Sequence, residues 1–146
     1  MKYRTNKLEF RDWRVMCVRF FALLAIMWVA TACAMQPQVV RHSFEFNASW
    51  DSPDVEVLDY RYGDSKLPGA APPNWALESG RIRQQTGVSG PMLVGDFLYV
   101  KWRLRATGEI HQETIDLRQR LPKNIEGHKI YFLIKRDHLF VYLISP

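Results

Sequence analysis

The sequence predicts a small all-β domain, an antiparallel β-sandwich or barrel of about six to seven strands, preceded by an N-terminal signal helix. Apolar and polar residues alternate with a period of two in several short segments after residue 38. Turn-forming residues separate these segments, and no segment after Cys33 keeps a helical period over eleven or more residues. We therefore predict a β-domain over residues 39–146.

The first two strands flank the turn Asp51-Ser52-Pro53-Asp54. They are predicted in VVRHSFEF, residues 39–46, and in VEVLDYRY, residues 55–62. The residues that the first strand would place on one face are Val40, His42, Phe44 and Phe46.

A hairpin is predicted between FLYVKWRLRA, residues 97–106, and EIHQETIDL, residues 109–117. A two-residue turn at Thr107-Gly108 would set Arg105 opposite Ile110 and Trp102 opposite Glu113. A three-residue loop would instead set Arg105 opposite Glu109, Lys101 opposite Glu113 and Leu104 opposite Ile110. The second register pairs opposite charges and apolar partners, so it is the one we predict.

The row Lys101, Arg103 and Arg105 resembles a stripe for anions or nucleic acid. In the predicted register, Glu109 and Glu113 neutralise this row across the hairpin. We therefore interpret it first as a solvated ladder of ion pairs.

The C-terminal hairpin joins KIYFLIK to HLFVYLIS through the turn Arg136-Asp137. Both faces of this hairpin are apolar. One is apolar throughout, and the other carries Tyr131, Leu133, Phe140 and Tyr142. An antiparallel sheet with one face in water alternates apolar and polar residues, and this hairpin does not. Either the long preceding loop covers the second face, which we favour, or Tyr131, Phe140 and Tyr142 contact a partner.

Residues 63–95 form the least regular part of the domain, with six of the eight glycines and four of the eight prolines. We predict a long loop without a long regular element, which either wraps the sheet or serves a function. Residues 74–80 fit one helical turn with Asn74 as N-cap and Gly80 at its end, and Trp75 and Leu77 would plug the sandwich. Arg81 and Arg83 are the charges with the least obvious partners, so this is the first place to look for a ligand or partner site, although we favour a loop that only wraps the sheet.

The N-terminus has the pattern of a secretory signal. After Arg19 the chain is apolar from Phe20 to Ala30, which is shorter than the roughly 20 residues a membrane-spanning helix requires. Residues 1–15 add charges that a signal does not need, so Met16 is a candidate for the true start. Mass spectrometry of the unprocessed precursor distinguishes the two starts.

The segment Ala30-Thr31-Ala32-Cys33 resembles the lipobox of bacterial lipoproteins, although Leu is commoner where Ala30 stands. The resemblance implies that residues 1–32 are removed, that the thiol of Cys33 is lipidated, and that residues 33–38 form a linker at the membrane. The alternatives are an uncleaved anchor helix or cleavage elsewhere. Ala34, rather than Asp, favours the outer membrane over the inner membrane by the enterobacterial sorting rule.

Composition argues against several classes of function. Residues 1–32 carry six basic and two acidic residues, whereas the remainder carries fourteen and thirteen, so the domain is nearly neutral and nucleic acid is not an expected partner. The sequence has no Gly-rich phosphate loop, GxSxG or HExxH motif, and its four histidines are scattered singly. We expect no enzyme activity, no metal and no cofactor.

GDFLYVKWR, TIDLRQRLP and IYFLIKRDHLFVYLIS together resemble small uncharacterised lipoproteins of Gram-negative bacteria, which implies no particular activity. No motif supports the lipoprotein subunit of type VI secretion systems. Two hypotheses follow. The chain is a lipid-anchored, non-catalytic module that binds an envelope protein, or a periplasmic protein that binds a small ligand or anion through Arg81, Arg83 and the row at residues 101–105.

Overall fold

The structure is a computed structural model in which residues 38–146 are described. The predicted signal segment, the candidate start at Met16 and the predicted lipidation site at Cys33 lie outside the described residues. The elements of the described part are β1 (Val39–Asn47), α1 (Ala48–Asp51), β2 (Val55–Tyr62), α2 (Asn74–Ser79), β3 (Gln85–Leu93), β4 (Phe97–Leu104), β5 (Ile110–Asp116), β6 (Lys129–Lys135) and β7 (His138–Ile144).

The strands form two sheets, one of four strands in the order β3-β1-β6-β7 and one of three in the order β2-β4-β5. The all-β prediction and the sandwich-like architecture are confirmed. One pairing differs, because β1 and β6 run parallel, with Ser43 opposite Lys129. A parallel pair requires a long crossover connection, and here the chain passes through the whole three-stranded sheet between β1 and β6.

Aromatic side chains of both sheets fill the core. The ring of Phe44 stacks on Tyr62 with centroids 4.9 Å apart, and Phe46 stacks on Phe132 at 4.5 Å. All four side chains are buried, as the alternation in the first and last strands predicts. Trp102 adds a polar link, because its Nε1–H donates to the carbonyl of Arg136 at 2.8 Å, in the turn between β6 and β7.

The prediction that residues 63–95 hold no long regular element is wrong. The nine residues of β3 pair antiparallel with β1 over its full length, from Val39 opposite Leu93 to Asn47 opposite Gln85. Glycine and Pro91 are tolerated because β3 is an edge strand, which needs hydrogen-bonding partners on one side only. The irregular part is therefore shorter, from Gly63 to Gln84.

The helix predicted at residues 74–80 is present as α2. Gly80 ends it in a left-handed conformation, with φ of 67°, and its N–H is directed at the carbonyls of Ala76 and Leu77. The N-cap is Pro73 and not Asn74. The expectation that Trp75 and Leu77 plug the sandwich is wrong, because both are exposed and the small Ala76 faces the core.

The predicted register of the β4–β5 hairpin is also wrong. The structure pairs Lys101 with Gln112 and Arg103 with Ile110, around a four-residue loop closed by Gly108. This register buries Ile115 opposite Leu98. The predicted register would have put Asp116 there, and burying Ile contributes about 1.5–3 kcal/mol against 0.2–1 kcal/mol for each cross-strand ion pair.

The basic row of β4 is matched by β2 and not by Glu109 and Glu113. Arg103 forms an ion pair with Glu56 at 3.1 Å, and Lys101 stands opposite Asp59. Both acids face the same side because the register shifts between Val57 and Asp59, as at a β-bulge. Among the described residues, the row therefore contains one ion pair, Arg103 with Glu56, and the carboxylates beside it come from β2 and not from β5.

The C-terminal hairpin has the predicted register, with Lys135 opposite His138 around the turn Arg136-Asp137. Its second face is not covered by the long loop, because β3 lies at the far edge of the same sheet. Phe140 and Tyr142 are 40% and 46% exposed. The interpretation that we favoured from the sequence is therefore wrong, and this face is open.

Gly95 provides a test of the packing between the sheets. A Cβ at this position would lie 2.6 Å from the ring of Tyr62, which is fully buried and stacked on Phe44. We expect Gly95→Ala to lower the free energy of unfolding by about 1–3 kcal/mol, as overpacking of a core does. The measurement is urea unfolding followed by tryptophan fluorescence.

The matched control is Gly87→Ala in β3, where the added Cβ would make an ordinary 3.6 Å contact with the side chain of Glu45. We expect little change in stability for this variant. Equal destabilisation by the two substitutions would contradict the packing of Gly95 against Tyr62.

Candidate functional site

An open groove of about 1190 Å³ lies where β1 ends and β3 begins. Its lining comes from the end of β1, from residues 68–76, from residues 81–87 and from Tyr131 of β6. It brings together four of the six side chains that the sequence marks as candidate contacts, which are Trp75, Arg81, Arg83 and Tyr131. Phe140 and Tyr142 lie elsewhere.

Arg81 and Arg83 are presented by the short connection between α2 and β3. After the left-handed Gly80, Ile82 is buried and the arginines on either side of it are exposed. Neither guanidinium has an ion-pair or hydrogen-bonding partner among residues 38–146.

Gln84 fixes the position of this connection. Its side-chain Oε1 accepts from the N–H of Val57 at 2.7 Å, and its Nε2 donates to the carbonyl of the same residue at 2.9 Å. Its backbone carbonyl accepts from the N–H of Ala48 at 2.8 Å. Gln84 therefore ties the segment that carries Arg81 and Arg83 to β2 and to the end of β1, a role that no sequence motif indicates.

The groove has an excess of positive charge. Among the described residues of the lining, Glu45 is the single carboxylate, and it is held by the ammonium group of Lys129 at 2.7 Å. Arg83 also acts on Tyr60 at the inner end of the groove. Burial raises the pKa of the Tyr60 phenol, while a hydrogen bond with Thr86 and the charge of Arg83 oppose that rise.

Aromatic and proline side chains supply the apolar part of the groove. Trp75 is 61% exposed beside Pro72 and Pro73. Tyr131 donates a hydrogen bond from its hydroxyl to Asp51, and burial together with that carboxylate raises its pKa to about 12. Tyr131 therefore presents a neutral ring at physiological pH.

Trp50 is a further exposed aromatic residue that the sequence reasoning missed. It is 85% exposed and follows Ser49, which lines the groove. The sequence does contain a signal for its exposure. Trp50 lies in the short connection after a buried strand, where few sites can bury an indole.

Tyr131 joins the two surfaces that the sequence marks separately. It lines the groove, and on the outer face of its sheet it stands directly opposite Tyr142 of β7. Phe140 follows on the same face, opposite Leu133. The groove and the open β6–β7 face are thus continuous through Tyr131.

The cationic row of β4 does not join Arg81 and Arg83. Lys101, Arg103 and Arg105 are absent from the groove lining and face outward on the three-stranded sheet. Arg103 is paired with Glu56, and Arg105 donates from Nε to the carbonyl of Val55 at 2.9 Å. The combined anion site that the sequence suggested is therefore not assembled.

Within residues 38–146, no group of three or more His, Cys, Asp or Glu residues is arranged to hold a metal ion. The helices described there include none with the length and apolarity needed to cross a membrane. Comparison of the chain with protein-family models, with curated proteins and with solved structures finds no match.

His42 is the one histidine that lies fully inside the sandwich as described. Its Nδ1 donates to the carbonyl of Val40 at 2.8 Å, and its Nε2 accepts from the hydroxyl of Tyr62 at 2.9 Å. These two hydrogen bonds require the neutral imidazole with its proton on Nδ1. Burial lowers the pKa of His42 below its ordinary value of 6.5.

Stability is therefore expected to fall in acid. The unfolded chain takes up a proton near the ordinary pKa of 6.5, whereas folded His42 resists it, so the free energy of unfolding decreases as pH drops below about 6.5. The loss is at most about 1.4 kcal/mol per pH unit for one such group. Urea titrations from pH 8 to pH 5 measure it.

His42→Gln should flatten this part of the pH profile even if it lowers stability at all pH values. The control is Gln119→Asn, an exposed position outside the strands where one uncharged side chain replaces another, which should leave the slope unchanged. An unchanged slope for the His42 variant would contradict the assignment of the acid sensitivity to His42.

Proposed function

We propose that the protein is a lipid-anchored lipoprotein of the cell envelope that binds another envelope protein and has no catalytic role. The observation that carries this proposal is the convergence of exposed Trp75, Arg81 and Arg83 with half-buried Tyr131 on one groove, continuous with Tyr142 and Phe140. Trp, Tyr and Arg are the residue types that dominate binding energy in protein interfaces. Exposed side chains of these types contribute little to folding, which is consistent with a binding role.

The proposed lipid on Cys33 gives the surface an orientation. Five residues lie between Cys33 and the start of β1 at Val39, so this tether spans at most about 20 Å. The groove lies at the opposite end of β1, roughly 26 Å along the strand. A lipid at Cys33 would therefore hold the start of β1 near the membrane and leave the groove directed into the periplasm, with the outer membrane favoured.

A periplasmic small-ligand or anion-binding protein is the alternative. It is less well supported because the groove is open and, at about 1190 Å³, larger than most small-molecule pockets. The basic row that would have strengthened an anion site is also engaged with β2. A protein partner uses both the charged and the aromatic parts of the surface.

Lipidation is tested by metabolic labelling with an alkyne analogue of palmitate in a Gram-negative host. We expect the mature protein to carry the label and Cys33→Ser to abolish it. Cys17→Ser is the matched control, because Cys17 lies in the segment that is proposed to be removed. Label that persists in the Cys33 variant would contradict the proposed anchor.

Partner binding is tested by photo-crosslinking in cells from residues 75 and 142. We expect both positions to yield adducts with the same protein, identified by mass spectrometry, because they belong to one continuous surface. Position 120, in the exposed segment after β5, is the control and should yield none. The absence of a shared adduct at the two test positions would contradict the proposal.

A further inference from the structure

The positions of the two arginines in the groove indicate which kind of ligand the groove binds. Arg81 and Arg83 flank the buried Ile82 in a stretch of chain outside any helix, so both side chains lie on its exposed side. In an extended polypeptide, carboxylates at positions i and i+2 lie on one side, about 6.6 Å apart along the chain. Such a pair matches two arginines that are likewise separated by one residue and exposed on the same side.

We propose that the groove binds an extended acidic segment of a partner protein, in which acidic residues alternate with apolar ones. This inference rests on the proposed function and specifies the chemistry of the partner. The alternating carboxylates pair with Arg81 and Arg83, which have no carboxylate partner in the described chain. Glu45, the one carboxylate that residues 38–146 contribute to the lining, is already neutralised by Lys129, so it does not repel such a segment strongly.

The apolar part of the groove favours a polypeptide over a small anion. A phosphate would contact the guanidinium groups but would leave Trp75, Pro72 and Pro73 without a partner. The apolar residues of an alternating segment point away from its carboxylates and can pack on this wall. An extended chain also suits the length of the lining, which runs from β1 through residues 68–76 to β3.

The test uses the full-length, detergent-solubilised protein and two fluorescein-labelled octapeptides of identical composition. In one, Asp and Val alternate; in the other, four Asp residues precede four Val residues. We expect tighter binding of the alternating peptide, measured by fluorescence anisotropy, and weaker binding at higher salt because the paired charges are screened. Equal affinity for the two peptides, or no binding of either, would overturn the proposal.

Arg81→Gln and Arg83→Gln should each weaken binding of the alternating peptide about ten-fold, the loss expected for one charge-assisted hydrogen bond. Trp75→Ala should weaken it as well. Arg120→Gln, which removes an exposed arginine outside the groove, is the control and should leave affinity unchanged. Circular dichroism and urea unfolding of each variant establish that the fold is kept.

Two further measurements separate this inference from the proposed function. Binding of the protein to phosphatidylglycerol vesicles or to inorganic phosphate, with loss in the Arg81 and Arg83 variants but no preference for the alternating peptide, would overturn the inference. If crosslinking identifies a partner at positions 75 and 142 while the peptides fail to bind, the inference alone is wrong. If the alternating peptide binds and no partner is crosslinked in cells, the proposed envelope function is the part that fails.

Discussion

The hydrogen bonds between Gln84 and the backbone of Val57 join the segment before β3 to β2 near the groove. Because β2 is an edge strand, the N–H and the carbonyl of Val57 are free to bond a side chain, and Gln84 satisfies both of these groups. Its own carbonyl is bonded to Ala48 after β1. Because Gln84 lies directly before β3, this interaction sets where β3 begins and where Arg81 and Arg83 emerge.

Burial decided the strand registers wherever it competed with charge. Cross-strand charge pairing favoured Glu113 opposite Lys101, but a one-residue slip exchanges the faces of the strand and would have exchanged Ile115 with Asp116. In the structure Ile115 is buried in the core. The last hairpin was predicted correctly because its apolar pattern and its two-residue turn agree, so no competing register exists. A sequence predicts register well when pattern and turn coincide, and poorly when a four-residue loop is as acceptable as a shorter one.

The candidate site was predictable in its residues but not in its assembly. Trp75, Arg81 and Arg83 were identified from turn chemistry and from charges without obvious partners, and they do lie together. That Tyr131 joins them depends on β6 pairing with β1 in parallel, a non-local contact that no local pattern encodes. The role of Gln84 was equally hidden, because it depends on the free edge of β2, where Val57 lies 27 residues away in sequence.

Within residues 80–87, some side chains stabilise the fold and others face solvent, so residues for folding and residues for binding can be distinguished there. Ile82 and Gln84 face inward and carry the packing and the hydrogen bonds, whereas Arg81 and Arg83 alternate with them and contact solvent. Substitution of an inward residue would displace both arginines together with the start of β3. Substitution of an outward residue changes the charge of the groove and leaves the core in place. Loss of binding in the arginine variants therefore reports on recognition, because the segment that presents them is stabilised by other side chains.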